Sequence, residues 1–486
     1  MESKNQNRTI PIIMMILLFG MISFVTNLAA PMGIVLKNQF GVSNAMGMLG
    51  NLANFIAYAV IGIPGGVLLQ RVGYKKTALI AIAVGFVGVF VQYLSGTIGS
   101  FGVYLLGAFI AGFSMCLLNT VVNPMLNTLG GEGNKGNQLI QVGGSFNSVM
   151  ATFTPVFVGI LIGEATKASI TDVYPVLFIA MGIFGLAFFA MLLSSIPEPH
   201  AEKSKEPMGK LMAGSLQFRH FVLGAIAIFV YVGIEVGVPG IANLYMTTPT
   251  ASQSQVIIKE FEKQQADASY LQELKAMDEQ HGENDGYTLQ VIKEDSYKNA
   301  LNIVSGDNPP GLGIATGVAG GIIGIYWLLM LVGRLLGAAL GSKISSRIML
   351  GFTSSLGLTF ILLAILLPEG IVVSMPAFSS SASGLSFGLV SVPIKFMFIA
   401  LVGLCTSIMW GGIFNLAVEG LGKYLAAASG IFMVLVCGGG ILPAIQGWLA
   451  DITSYVASYW LIIACLGYLL FYALVGSKVT KRAEAA

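Results

Sequence analysis

Glu235 is an ionisable group in the middle of Phe221 to Met246, a stretch apolar and long enough to cross a bilayer as a helix. A carboxyl group facing lipid there costs at least ~2.5 kcal/mol, so it must face a polar cavity or a partner. Pro239 follows four residues later and has no N–H, which leaves the carbonyl of residue 235 without its helical bond. One turn therefore offers a carboxyl that can exchange a proton and a backbone oxygen in need of a donor. The rival reading is a protonated Glu that bonds a neighbouring helix and only holds a bundle together. Amides form the second group. Asn119, Asn123 and Asn127 recur every four residues and share one helix face. The first two lie deep enough to line a cavity, whereas Asn127 is near a span end, where it caps the helix or meets a loop. Asn27, Asn147, Asn415 and Gln446 lie in other apolar runs, and Trp410 precedes Asn415 by a little more than one turn. Carboxamides donate and accept together, which suits paired hydrogen bonds to hydroxyl groups, and an indole offers a flat apolar platform. Their rival role is cross-helix glue, at ~0.6 kcal/mol each. Tyr231 and Gln141 are weaker candidates of the same kind.

Other chemistries find no support. No nucleophile–base pair or metal-ligand spacing occurs, and His200, His220 and His281 fall outside the apolar core, so neither an enzyme, a metal nor a cofactor is expected. Cys116, Cys405, Cys437 and Cys465 all sit in apolar runs and read as packing residues.

The elements that position these groups are membrane spans. The chain is 55% hydrophobic and 10% charged, far from the quarter charged of a soluble domain. Twelve spans can be counted, at about 10–32, 47–69, 77–96, 101–127, 138–163, 173–195, 220–246, 313–341, 349–368, 395–417, 425–447 and 456–476. Alternate connections hold Arg71, Lys75, Lys76, Lys135, Lys203, Lys205, Lys210, Arg219, Lys343, Arg347 and Lys423, whereas the short loops of the other set hold Lys37 and Lys167, with Lys395 at the start of a span. Basic loops stay inside, which predicts that both termini are cytoplasmic. Lys4 and Arg8 before the first span are read as flanks of a retained helix.

The halves repeat. Asn27 and Pro31 mirror Glu235 and Pro239; Gly66, Arg71 and Lys75 mirror Gly337, Lys343 and Arg347; Pro155 and Gly159 mirror Pro443 and Gly447. The offset grows along the chain by the lengths of a polar insert and of a long 369–394 connection. The domain reading is a six-helix bundle at 1–195, a cytoplasmic linker at 196–219, and a second six-helix bundle at 220–486. The last carries an extracytoplasmic insert at 247–310, charge-rich and helically patterned from Val256 to Glu283. That insert is a lid, a docking site or a solvated decoration. Gly143-Gly144 and Gly438-Gly440 occupy matching places and permit close helix approach.

Gly66-Val-Leu-Leu-Gln-Arg71-Val-Gly73-Tyr-Lys75-Lys76 resembles the helix 2–3 signature of the major facilitator superfamily, with Gln70 where an Asp is usual. Several stretches are similar to the fucose–proton symporter family, which includes fucose and glucose/galactose permeases. These are Asn27-Leu28, Cys116 through Asn119 to Asn123-Pro124, Ser145-Phe-Asn147-Ser148, Tyr231 to Glu235, Gly333-Arg334, Ile413-Phe-Asn415 and Gly438 to Pro443. The fucose type carries acids at the positions of Ala30 and Asn119, both absent here, while Glu235 resembles the helix 7 acid of the glucose/galactose type.

The resemblance implies an all-α membrane fold, twelve transmembrane helices in two pseudo-symmetric bundles. It also implies a secondary active transporter that imports a hexose or deoxyhexose across a bacterial inner membrane by alternating access. Asn27, Asn119, Asn123, Asn147, Glu235, Trp410, Asn415 and Gln446 are then the sugar-binding candidates, Glu235 the coupling acid, and Arg71 and Arg334 the gating residues. Arg334, nine residues before Lys343, is expected toward the cytoplasmic end. The partners expected are the sugar, protons or sodium, and the lipid bilayer, with no nucleic acid and a monomeric chain. A multidrug exporter of the same fold, a sugar uniporter and a membrane sensor using the insert are the alternatives.

Overall fold

The structure, a computed structural model, describes residues 9–40, 49–131, 134–162, 170–196, 198, 207–281, 291–292, 294–314, 316–381 and 384–480. Both chain ends, 197 and 199–206 of the linker, 282–290 of the insert, and Lys167, His200, Lys203 and Lys205 lie outside the described residues. The first six helices are α1 (Thr9–Phe40), α2 (Leu49–Val72), α3 (Tyr74–Ile98), α4 (Phe101–Gly130), α5 (Lys135–Ile162) and α6 (Ile170–Leu193). The second six are α7 (Arg219–Thr247), α8 (Thr316–Leu340), α9 (Ser346–Leu366), α10 (Ile394–Val418), α11 (Gly422–Ile452) and α12 (Tyr455–Gly476). Among the described residues eleven of these are long and apolar enough to span a bilayer, and α5, 28 residues long, completes the twelve. Leu186, Phe189 and Leu193 on α6 and Phe352 and Leu366 on α9 are apolar yet exposed, the surface of a bundle bathed in lipid rather than water.

Local chemistry sets the helix starts. Ser100, Ser345 and Ser454 each cap a following helix by accepting from the backbone N–H three residues on. The start of α3 is different. Gly73 adopts φ +85°, and the Glu198 carboxylate lies where a side chain would project, 2.6 Å from the position of a Cβ. Glu198 accepts from Tyr74 N at 2.7 Å and Lys75 N at 3.1 Å, and Lys75 Nζ donates to the carbonyls of Leu192 and Ser194. The Gly-Tyr-Lys signature thus ties the α2–α3 turn to the end of α6 through an anion at a helix N-terminus.

Two helices of the second half are interrupted. α10 consists of Ile394–Thr406 and Met409–Val418, and α11 contains a tight 3-10 turn at Leu435–Cys437 just before Gly438. The membrane part is all helical as expected. The 369–394 connection, for which the sequence suggests only extra length, adds an antiparallel hairpin of β1 (Val372–Ser381) and β2 (Gly384–Pro393), with Val372 opposite Pro393 and Ser381 opposite Gly384.

The insert between α7 and α8 is helical at Ala251–Ala266, Ala268–His281 and Glu294–Ser305. Thr250 and Gln253 form a capping box at its entry. At its exit, Leu312, Gly313 and Ile314 donate to the carbonyls of Tyr245, Thr248 and Met246, satisfying the end of α7.

Candidate functional site

Glu235 stands midway along α7, and its side chain is only 16% exposed. The carbonyl freed by Pro239 accepts from the Tyr326 hydroxyl of α8 at 3.3 Å, and that hydroxyl also bonds Thr406 of α10. The carboxylate pairs with Arg334 of α8, Oε1 to Nη2 at 3.1 Å. Here the structure departs from expectation. Toward the end that carries the basic loops, a snorkelling Arg334 or one bonded to backbone carbonyls is expected; it does bond carbonyls, but its guanidinium also extends to a carboxylate at the centre. A buried cation gains more from a carboxylate and a full set of acceptors than from snorkelling.

That set of acceptors spans both halves. Nη1 donates to Gly144 O at 3.1 Å, Asn147 Oδ1 at 3.2 Å and Ser148 Oγ at 2.7 Å, all on α5, while Nε reaches Ser407 O at 3.4 Å in the α10 break. Asn147 in turn donates to Phe19 O of α1 at 3.0 Å. A single side chain therefore joins α8, α7, α10 and α5, with α1 one bond beyond. The mirrored Gly144 matters directly, because Arg334 Cδ passes beside it.

The amides of α4 lie alongside. Asn119 donates to Tyr58 Oη of α2 at 2.7 Å, Asn123 donates to Asn119 O at 2.9 Å, and Asn123 Oδ1 accepts the Trp410 indole N–H at 2.9 Å. Trp410 also meets Tyr231 edge-on, ring centroids 6.2 Å apart, which links this line back to the turn before Glu235. Gln446 of α11 is fully buried against Gly237 of α7, and neither of its amide atoms has a hydrogen-bond partner among the described residues. An unsatisfied buried carboxamide costs ~1–3 kcal/mol, a price that a ligand hydroxyl or a water removes.

Three candidates fall elsewhere. Asn27 turns back on its own helix and donates to Ser23 O at 2.8 Å. Asn415 lies nearer the basic loops, where it accepts from Asn127 at 2.7 Å and donates to Ser346 Oγ. Asn127, expected to cap a helix, is thus half of a bond between the two bundles. Arg71 is exposed in the last turn of α2 and, among the described residues, makes no bond across the halves. The contacts between the halves at that end are made by other residues. Gln138 donates to Ala338 O, Gln141 donates to Ile408 O, and α2 packs on α11 so tightly that a Cβ on Gly66 or Gly430 would lie 3.0 Å from the other's Cα. Tyr58 and Tyr326 escaped the sequence reading because a Tyr in an apolar run looks like packing, although its hydroxyl needs a partner when buried.

The sequence profile of the Major Facilitator Superfamily matches residues 12–256. The chain belongs to this superfamily. Its similarity to curated superfamily members runs over nearly the whole length. The glucose/galactose transporter of Brucella abortus is 25% identical over 480 residues, covering 98% of this chain and 96% of that one. A putative glucose/galactose transporter of Helicobacter pylori is 26% identical over 477 residues, with 95% of both chains covered. The L-fucose–proton symporter of Escherichia coli is 22% identical over 223 residues, 41% of this chain and 51% of that one. Among solved superfamily structures, FucP in the outward conformation aligns with a TM-score of 0.71 at 16% identity, covering 96% of this chain and 99% of that one. The proton:xylose symporter XylE aligns with a TM-score of 0.59 at 13% identity. These likenesses fix the fold of two six-helix bundles.

Proposed function

We infer that the chain is a secondary transporter of a monosaccharide, a hexose or deoxyhexose, working by alternating access between its bundles. The observation that carries this is the Arg334 hub, an ion pair at membrane depth that holds groups from both bundles beside a line of amides and an indole. A sugar presents hydroxyls to carboxamides and an apolar face to an aromatic ring. Asn119, Asn123, Asn147, Trp410 and Gln446, which has no partner among the described residues, supply both. The similarity to glucose/galactose transporters along nearly the whole chain supports the substrate class.

The division is 1–195 and 220–486, joined by the 196–219 linker and carrying the 247–310 insert outside. The basic loops face the cytoplasm, both termini lie there, and the membrane is the inner membrane of a bacterium. With contacts between the bundles made on the basic side, this conformation is closed to the cytoplasm.

Glu235 is the coupling acid and Arg334 its partner. While Glu235 is charged it holds Arg334, and Arg334 holds α5 of the other bundle. A proton on Glu235 weakens that hold, and sugar hydroxyls take up the amides, so loading from outside loosens the cytoplasmic closure. Counterflow in proteoliposomes, screened over hexoses, deoxyhexoses and N-acetylhexosamines, tests the reading. Exchange of one of these sugars is the expected result. Export of cationic drugs with no sugar exchanged would refute it.

A further inference from the structure

The β-hairpin lies at a depth that its rooting helices reveal. Its base is tied to α7: the Tyr245 hydroxyl and Lys395 Nζ both bond the Glu369 carboxylate, the lysine at 3.0 Å. Tyr245 is ten residues outward from Glu235, about 15 Å along a helix rising ~1.5 Å per residue. Further along β1, the carbonyl of Phe378 rests on Gly321 of α8 and its ring on Gly324. Gly321 and Gly324 stand five and eight residues in from the outer end of α8 at Thr316. The base of the ribbon therefore stands about 15 Å outward from Glu235, half of a hydrocarbon core ~30 Å thick, and β1 is laid against the outer third of α8. The hairpin thus lies along the outer part of the helices instead of standing clear of them.

Its side chains fit that place. One face, with Met375, Ala377 and Val392, is buried against the helices. The opposite face presents Val372, Pro376, Phe387 and Leu389, with Phe387 61% and Leu389 74% exposed although the Phe387 ring meets Phe378 edge-on at 5.3 Å. From Ile371 to Ile394 there is not one Asp, Glu, Lys, Arg or His, although the insert on the same side of the protein is rich in charge. A ribbon with an uncharged apolar face and unpaired edges suits neither bulk water nor the hydrocarbon interior, where open edges are excluded. It suits the headgroup–acyl boundary, where apolar side chains dip into lipid and backbone edges still meet water.

We propose that the hairpin strands β1 and β2 form a lipid-binding element that lies in the interface of the leaflet opposite the basic loops, with Phe387 and Leu389 inserted among acyl chains. It thereby fixes the outer ends of α8 and α10 to the bilayer surface.

Nitroxide labels on Phe387→Cys and Leu389→Cys, made separately in the full chain with Cys437→Ser, test this in phosphatidylcholine vesicles. Both native side chains are exposed, and Leu389→Cys leaves in place the ring contact between Phe387 and Phe378. Collision rates with oxygen and with a water-soluble nickel chelate are compared with those of Lys259→Cys in the insert. The expected result is oxygen-favoured, chelate-protected relaxation at both hairpin sites and the reverse at 259. Chelate access equal to that at 259 would make the hairpin a water-exposed lid. Immobilised labels shielded from both reagents would mean that protein, such as a second copy, covers it. Either outcome overturns the proposal.

Discussion

Replacing Glu235 with Gln separates proton coupling from sugar exchange, and the structure sets the size of the effect. The proposed role of Glu235 as the coupling acid implies one proton per cycle. A gradient of one pH unit stores about 1.4 kcal/mol per proton, which equals tenfold in sugar concentration at equilibrium. Proteoliposomes clamped at zero membrane potential, with the outside one unit more acid, should accumulate sugar about tenfold with the native chain. With Glu235→Gln the ratio should fall to unity. The glutamine still offers an oxygen to Arg334 Nη2, 3.1 Å from the native carboxylate, so the hub keeps a hydrogen bond while losing its counter-charge. Outright removal of one partner from a buried pair costs ~3–5 kcal/mol, which is why Ala would confuse unfolding with uncoupling. Counterflow at equal pH is the control and should persist. Retention of tenfold accumulation would show that Glu235 is not the coupling acid. Loss of counterflow as well, in a protein that still unfolds cooperatively, would make it a sugar ligand instead.

Three other expectations follow from single sites. Gly66→Leu places side-chain atoms where the Ala426 carbonyl and Gly430 Cα already lie 3.0 Å from a Cβ, so overpacking of ~1–3 kcal/mol should hold the basic side open. Faster alkylation of a Gln138→Cys reporter measures that shift, and unchanged labelling would dismiss the α2–α11 contact as a closure. Glu198→Gln removes the charge and one of two acceptors at the α3 start, and should lower thermal stability in detergent by about 1 kcal/mol. No change in the unfolding midpoint would argue against that cap. At Glu369 burial alone would raise the carboxyl, but hydrogen bonds from Tyr245 and Lys395 outweigh it and hold the group below the usual range. Its contribution is therefore full above the ordinary carboxylate pKa and fades as pH falls through the depressed one. Hydrogen exchange of the hairpin base should quicken only in that acidic window, and Lys395→Met should shift its onset to higher pH.

The fold was legible because its causes are local. Twelve apolar runs, a charge bias between alternate loops and the Asn27/Glu235 correspondence need no knowledge of contacts. Glu235 was legible for the same reason, since a carboxyl at membrane depth is costly wherever the chain goes. Its partner was not. Arg334 reads as a residue six positions from the end of its helix, and only the crossing of α7, α8 and α5 shows where its long side chain ends. Asn127 and Asn415 are a similar case, because a bond between helices of different bundles leaves no trace in either helix alone. The hairpin was hidden for another reason. Its strands carry Ser, Gly and Pro among the apolar residues, a pattern that blurs alternation until pairing supplies the register.

The insert leaves and rejoins the bundle at almost the same point. Gly313 N lies 2.8 Å from Thr248 O, and Gly311 N lies 3.0 Å from Pro249 O, so some sixty residues begin and end side by side. Such adjacency makes the segment modular: excised and resealed with a short turn, it would leave α7 and α8 with their original spacing. The same doorway can accept foreign cargo, and a fluorescent protein or affinity module spliced there would ride on the carrier without stretching the helices that hold Glu235 and Arg334.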